Sequence, residues 1–163
     1  MYRKVKFIVR TRGFRALIRG ISRILLRTVY VHVLNKRYVR IKVFNFKLWV
    51  DLFDEGISRT LWLYGERELD HKWIMDQVIW PGARVLDVGA NIGYYAVMES
   101  LLVGSGGQIV AVEPSPENYR SLNKNIRLNN RKNIVSECLA VSDKTESREF
   151  FLARESNLNT FYK

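Results

Sequence analysis

"RVLDVGANIGYYAV", residues 84–97, decides the fold. Branched apolar residues run up to Asp87, the chain breaks at Gly89 and Gly93, and residues suited to a helix follow from Ile92 to Val103, where Gly104 stops them. Working outward, "IVAVE" (109–113) reads as a second buried strand ending at Glu113. Ser115 is placed to cap a further helix with Pro116 at its first position, where a missing N–H costs nothing, and Tyr119, Leu122 and Ile126 mark its buried face. "IVSECLAV" (134–141) reads as a third strand. Strand, helix, strand, helix, strand is the rhythm of a doubly wound α/β half with a parallel sheet, whose ligands lie beyond the carboxyl ends of the strands. Asp87, Glu113 and the segment 140–142 stand at those ends.

The rim narrows the ligand. Gly89 and Gly93 permit a tight turn and close approach, and the helix behind them offers N–H groups. A carboxylate at Asp87 opposes a pyrophosphate but suits an ammonium or sulfonium charge. Gly89-Ala90-Asn91-Ile92-Gly93 also lacks the middle glycine of a dinucleotide fingerprint. Glu113, at the end of the next strand, is positioned as an acceptor for ribose hydroxyls. A nucleoside with a cationic tail meets all three conditions, which points to S-adenosylmethionine as the cofactor.

Charge is divided unevenly. Residues 1–50 carry 14 of the 27 Lys and Arg and none of the 16 Asp and Glu, so all the excess positive charge behind the chain's formal +11 belongs to a basic arm (1–50), and residues 51–163 form a slightly acidic domain with 13 basic against 16 acidic residues. Within the arm, Phe14, Leu17, Ile18, Ile21, Leu25 and Val29 recur at helical spacing while Arg15, Arg19, Arg23 and Arg27 step by four along another face. The first expectation is that the apolar stripe packs on the domain with the arginines solvated. Peripheral contact with an anionic membrane comes second, and nucleic acid is the partner expected least, since no aromatic residues interleave with the basic ones. The arginines leave no apolar run of the ~20 residues needed to cross a bilayer. The lone Cys138 permits no internal disulfide, no metal-ligand set is spaced for binding, and the setting expected is cytoplasmic. A hairpin is expected near 38–44 and 47–53, a polar turn at "DEGISRT" (54–60), and a helix from about Glu66 to Trp80.

"VLDVGANIGYYA", "VAVEPSPENYRSLNKNIRLNN" and "LAVSDK" resemble, in order and separation, signatures of the FkbM-type S-adenosylmethionine-dependent methyltransferases over roughly residues 51–163. The resemblance implies a Rossmann-like class I methyltransferase fold with a doubly wound parallel sheet. It implies that Asp87, Gly89, Ala90, Asn91 and Gly93 form the methionine-side loop, that Glu113, with Pro114 beside it, holds the ribose, and that Ala140 and Val141 lie near the adenine. Glu68 in "YGERELD" matches a recurrent glutamate and joins the cofactor-binding set. The implied reaction is O-methylation of a sugar or other small-molecule hydroxyl, with a small-molecule or glycan acceptor as partner. Relatives of that kind continue well past the position of "NLNTFYK", so only about three strands of the sheet are expected here, as in an N-terminal part. No catalytic base is assigned. The alternative is a non-catalytic remnant whose basic arm binds anionic membrane or nucleic acid.

Overall fold

The computed structural model describes residues 2–160 apart from 145, 148, 154 and 158, with side chains from residue 10 onward except 11 and 12. A long helix α1 (Tyr2–Thr28), broken at Gly13 (φ 78°, ψ 167°), runs into a π-helical turn at Val29–Val33. The hairpin β1 (Tyr38–Val43) and β2 (Phe46–Asp51) follows, in antiparallel register with Val43 opposite Phe46. After α2 (Ile57–Tyr64) and α3 (Leu69–Val78) come β3 (Arg84–Val88), α4 (Tyr94–Val103), β4 (Gln108–Val112), α5 (Pro116–Leu128) and β5 (Ile134–Glu137). The last three strands make a parallel sheet in the order β3-β4-β5, as the α/β reading requires.

Sheet order explains the layering. Both crossovers advance the sheet in one direction, so their right-handedness puts α4 and α5 on the same face. Ile109, Ala111 and Ile134 are buried on that side, whereas Leu86, Val88 and Val135 on the other are exposed. One half of a doubly wound sheet is thus in place, with β3 and β5 as its edges. The hairpin's inner residues, Val39, Ile41, Val43, Phe46, Leu48 and Val50, are buried in the same core as α2, α4 and α5.

Several elements depart from expectation. Residues 57–64 are helical where a polar turn was expected: the Asp54 carboxylate accepts from the N–H groups of Gly56 (3.0 Å) and Ser58 (2.8 Å), and Ile57, Leu61 and Trp62 are buried. That is a side-chain cap preceding a short apolar helix. The expected helix from Glu66 begins only at Leu69, since Glu68 takes a left-handed φ of 49°. β5 stops at Glu137 rather than Val141 because its partner β4 ends at Val112, directly opposite. Cys138, expected within that strand, is exposed beyond its end.

The N-terminal helix docks the wrong way round for the expectation. Phe14, Ile18, Ile21 and Leu25 face solvent, while Gly20 is buried, where a Cβ would meet Tyr64 Cε1 at 3.8 Å. Arg19 donates to the Tyr64 carbonyl (2.9 Å), Arg27 donates to the Leu52 carbonyl (2.7 Å), and Arg23 lies over the Trp62 ring (4.5 Å) whose indole N–H donates back to the Arg23 carbonyl (2.9 Å). Among the described residues no helix is long and apolar enough to cross a membrane.

Candidate functional site

The loop joining β3 to α4 curls through three positive φ angles, at Gly89 (81°), Asn91 (51°) and Gly93 (86°). Its entry is pinned to the neighbouring strand, since the N–H groups of Gly89 and Ala90 both donate to the Val112 carbonyl (2.8 and 3.0 Å). The two glycines have different causes. A Cβ at Gly93 would meet Leu122 Cδ1 at 2.7 Å, so this glycine lets α5 pack close; a Cβ at Gly89 would meet nothing within 4 Å. Gly89 therefore faces the open space where a ligand can approach the backbone.

Three carboxylates surround this loop, and among the described residues none is in an ion pair. Glu113 is buried at the end of β4 and accepts from Asn91 N–H (2.8 Å), Ser115 N–H (2.9 Å) and Asn118 Nδ2 (3.3 Å). It ties the glycine loop to the start of α5. Asp87 accepts from the Ala96 N–H in the first turn of α4, and burial, reinforced by the nearby Glu113 charge, pushes its carboxyl up to about 6. Glu99, on α4 behind it, is pushed up to about 7 by burial and then by Asp87. One oxygen of each, Asp87 Oδ2 and Glu99 Oε2, is buried without a hydrogen-bond partner. An unbalanced cluster of negative charge suits a cationic ligand group.

Glu68 stands in a second cluster beside the start of α4. It accepts from Arg67 Nε (2.7 Å) and from the Tyr95 hydroxyl, with His71 Nδ1 at 3.5 Å. Burial alone would raise its carboxyl, but the Tyr95 and Arg67 hydrogen bonds outweigh that and hold it below the usual range, while burial and Glu68 push the Tyr95 hydroxyl up. The buried Tyr94 donates to the Arg67 carbonyl (2.7 Å), fixing this segment against α4.

The structure therefore brings together Asp87, Gly89, Ala90, Asn91, Gly93, Glu113 and Pro114, with Glu68 across the first turn of α4. Ala140 and Val141 lie in irregular chain past β5, Val141 exposed. The sequence reading missed a turn at Ser156. Its carbonyl accepts from Asn91 Nδ2 (2.8 Å) and Asn118 Nδ2 (3.2 Å), and its N–H and hydroxyl donate to Asp54 (both 3.1 Å). Gly56 makes room for it, since a Cβ there would meet Asn157 Oδ1 at 2.3 Å. Asn91 thus holds this turn and does not cap α4, whose N-cap position is Gly93. The resulting cleft beside Gly89, Asn91, Glu113 and Pro114 measures about 160 Å³. The "DEG" at 54–56 was the available signal, as an Asx-type cap; the approach of residue 156 leaves no local mark.

Among solved structures, M. jannaschii TYW2 in complex with AdoMet is similar to this chain at 21% identity and TM-score 0.52, over 64% of this chain and 44% of that one. The M. jannaschii tRNA m1G37 methyltransferase is 25% identical with TM-score 0.46, over 62% and 29%. Protein-L-isoaspartate O-methyltransferase of Fervidobacterium nodosum is 40% identical over 68 residues, 42% of this chain and 33% of that protein. The chain thus spans less than half the length of each of these relatives. The likeness to TYW2 shows the fold. Residues 45–154 match the family model of the TRM5/TYW2 methyltransferase domain. That match overturns the FkbM assignment and, with it, the expected sugar or small-molecule acceptor. The same match corrects the ranking of nucleic acid as the least expected partner. The physical reason is that donor-side loops answer to the donor and are blind to the acceptor. S-adenosylmethionine, the cofactor expected, agrees with the family and with the AdoMet in the TYW2 structure. With more than half of its length in that match, the chain belongs to the TRM5/TYW2 methyltransferase domain family.

Proposed function

We propose that this chain carries the S-adenosylmethionine-binding half of an RNA methyltransferase acting on tRNA. The observation that carries the reading is the β3–α4 loop, open at Gly89 and backed by carboxylates that no cation among the described residues pairs with, in a chain of this family. When bound, S-adenosylmethionine supplies an electrophilic methyl on a sulfonium sulfur. Asp87 and the backbone of Gly89, Ala90 and Asn91 would hold its charged end, and Pro114 would border it. Glu113 acts as a positioning residue, since its carboxylate already serves the loop and the start of α5. Aligning donor and acceptor at near-attack distance is the main contribution such a rim makes.

The Ser156 turn shares this space. Its carbonyl accepts from Asn91 and Asn118 at the edge of the cleft of about 160 Å³ beside Gly89 and Glu113. Isothermal titration with S-adenosylmethionine, its demethylated product and NAD tests the reading. The first two are expected to bind and NAD not. Gly89→Val, which puts a branched side chain at φ 81° into the open edge, is expected to abolish binding. NAD binding as tightly as S-adenosylmethionine, or undiminished binding by folded Gly89→Val, would overturn the assignment.

A further inference from the structure

The outer face of the hairpin carries charge that the fold itself does not use. Alternation along the strands turns Tyr38, Arg40 and Lys42 of β1, and Lys47, Trp49 and Asp51 of β2, away from the core. Register then sets Arg40 opposite Trp49 and Lys42 opposite Lys47. Like charges directly opposite each other weaken a strand pair. From α5, Lys124 reaches over the same face, 4.2 Å from the Trp49 ring and 4.9 Å from that of Tyr38, and Arg120 stands one turn earlier. The nearby carboxylates, Asp51 and Glu117, are both taken by Arg37 (2.6 and 2.7 Å). Among the described residues, Arg40, Lys42, Lys47, Arg120 and Lys124 have no acidic partner.

This strip is rigid. Asn125 Oδ1 accepts from the Trp49 N–H (2.7 Å) and its Nδ2 donates to the Trp49 carbonyl (3.2 Å); Asn129 repeats the pair at Lys47 (3.0 and 2.7 Å). Two asparagines one turn apart thus take the place of a third strand along β2, locking α5's cations to the hairpin's. The strip runs ~20 Å, the length of six extended residues, and one end opens on the donor site. Arg37, Tyr38 and Asp51 border a cleft that also touches Ser156 and Asn159, and those two residues line the cleft at Gly89 and Glu113.

We infer that this strip is the surface on which the RNA substrate's phosphate backbone lies. The inference rests on the RNA reading proposed above and adds where the RNA docks. Phosphates would relieve the opposed Lys42 and Lys47 and pair with the unpartnered Arg40, Arg120 and Lys124.

The test is fluorescence anisotropy of the full chain with an in-vitro transcribed tRNA over a range of salt, comparing the parent with the triple variant Arg40→Gln, Lys42→Gln, Lys47→Gln. The variant is expected to bind at least about tenfold more weakly, with a log–log salt slope shallower by about two, the share of three phosphate contacts. It should titrate S-adenosylmethionine like the parent and melt no earlier, since an unfavourable charge pair has gone. A variant that keeps the parent's tRNA affinity and slope overturns this surface and leaves the proposed function standing. A parent that binds S-adenosylmethionine but no tRNA overturns the RNA reading and the surface with it.

Discussion

Helices α1 and α5 are both basic, both carry an apolar stripe at helical spacing, and they dock in opposite ways. α5 buries its stripe, with Leu122 fully covered against Gly93, and turns Arg120 and Arg127 outward. α1 exposes its stripe, Phe14 at 64% and Leu25 at 65%, and lays its arginines on the domain. The difference lies in what each helix meets. α5 meets an apolar surface whose glycine leaves a socket for a leucine. α1 meets the Trp62 ring and the carbonyls of Tyr64 and Leu52, which call for donors on long apolar stems, and Gly20 lets the backbones come close enough for arginine to reach them. Periodicity locates a stripe; the chemistry of the partner surface decides which face docks.

Mutations can break or sharpen this contrast. The largest effect is expected from Leu122→Ala on α5, a loss of about 2–5 kcal/mol in urea unfolding, because a fully buried side chain leaves a cavity beside Gly93. A loss below 1 kcal/mol would show that α5 is not the better anchored helix. On α1 the order should invert. Arg23→Ala removes the cation over Trp62 and is expected to cost about 0.5–1 kcal/mol, whereas Ile21→Ser on the exposed stripe should stay within about 0.5 kcal/mol of the parent. Should Ile21→Ser prove the costlier of the two, the stripe and not the arginine face is what holds α1.

How much of this was legible follows from how local each cause is. Ser115 capping α5 through the Asn118 N–H, with Pro116 first, could be read directly because cap and helix are neighbours in sequence. The strands ending at Asp87 and Glu113 were legible for the same reason, as runs bounded by punctuation, and they fixed where the donor loop sits. Glu113's role was only half legible. Its place at the rim was evident, whereas the three donors by which it ties the loop to the start of α5 were not. Contacts such as Asp54 to Ser156 and Asn125 to Trp49 join segments far apart in the chain and leave no periodic signal. The family was misassigned because the matching blocks lie at the strands and turns around the donor, where different acceptors impose no different residues.

Asp87 and Glu99 make the folded chain a proton reservoir. Both carboxyls are held above their ordinary values, at about 6 and about 7, so between roughly pH 4 and 7 the native state retains protons that the unfolded chain has released. Their contribution to stability is fully present below the unfolded values and is lost as pH rises through the folded ones. Glu68, held low, works in the opposite sense and in a lower window, losing its contribution as pH falls below its ordinary range. Melting temperature should therefore decline from pH 5 toward neutrality, and Glu99→Gln should flatten that decline; an unchanged slope in the variant would place the stored proton elsewhere.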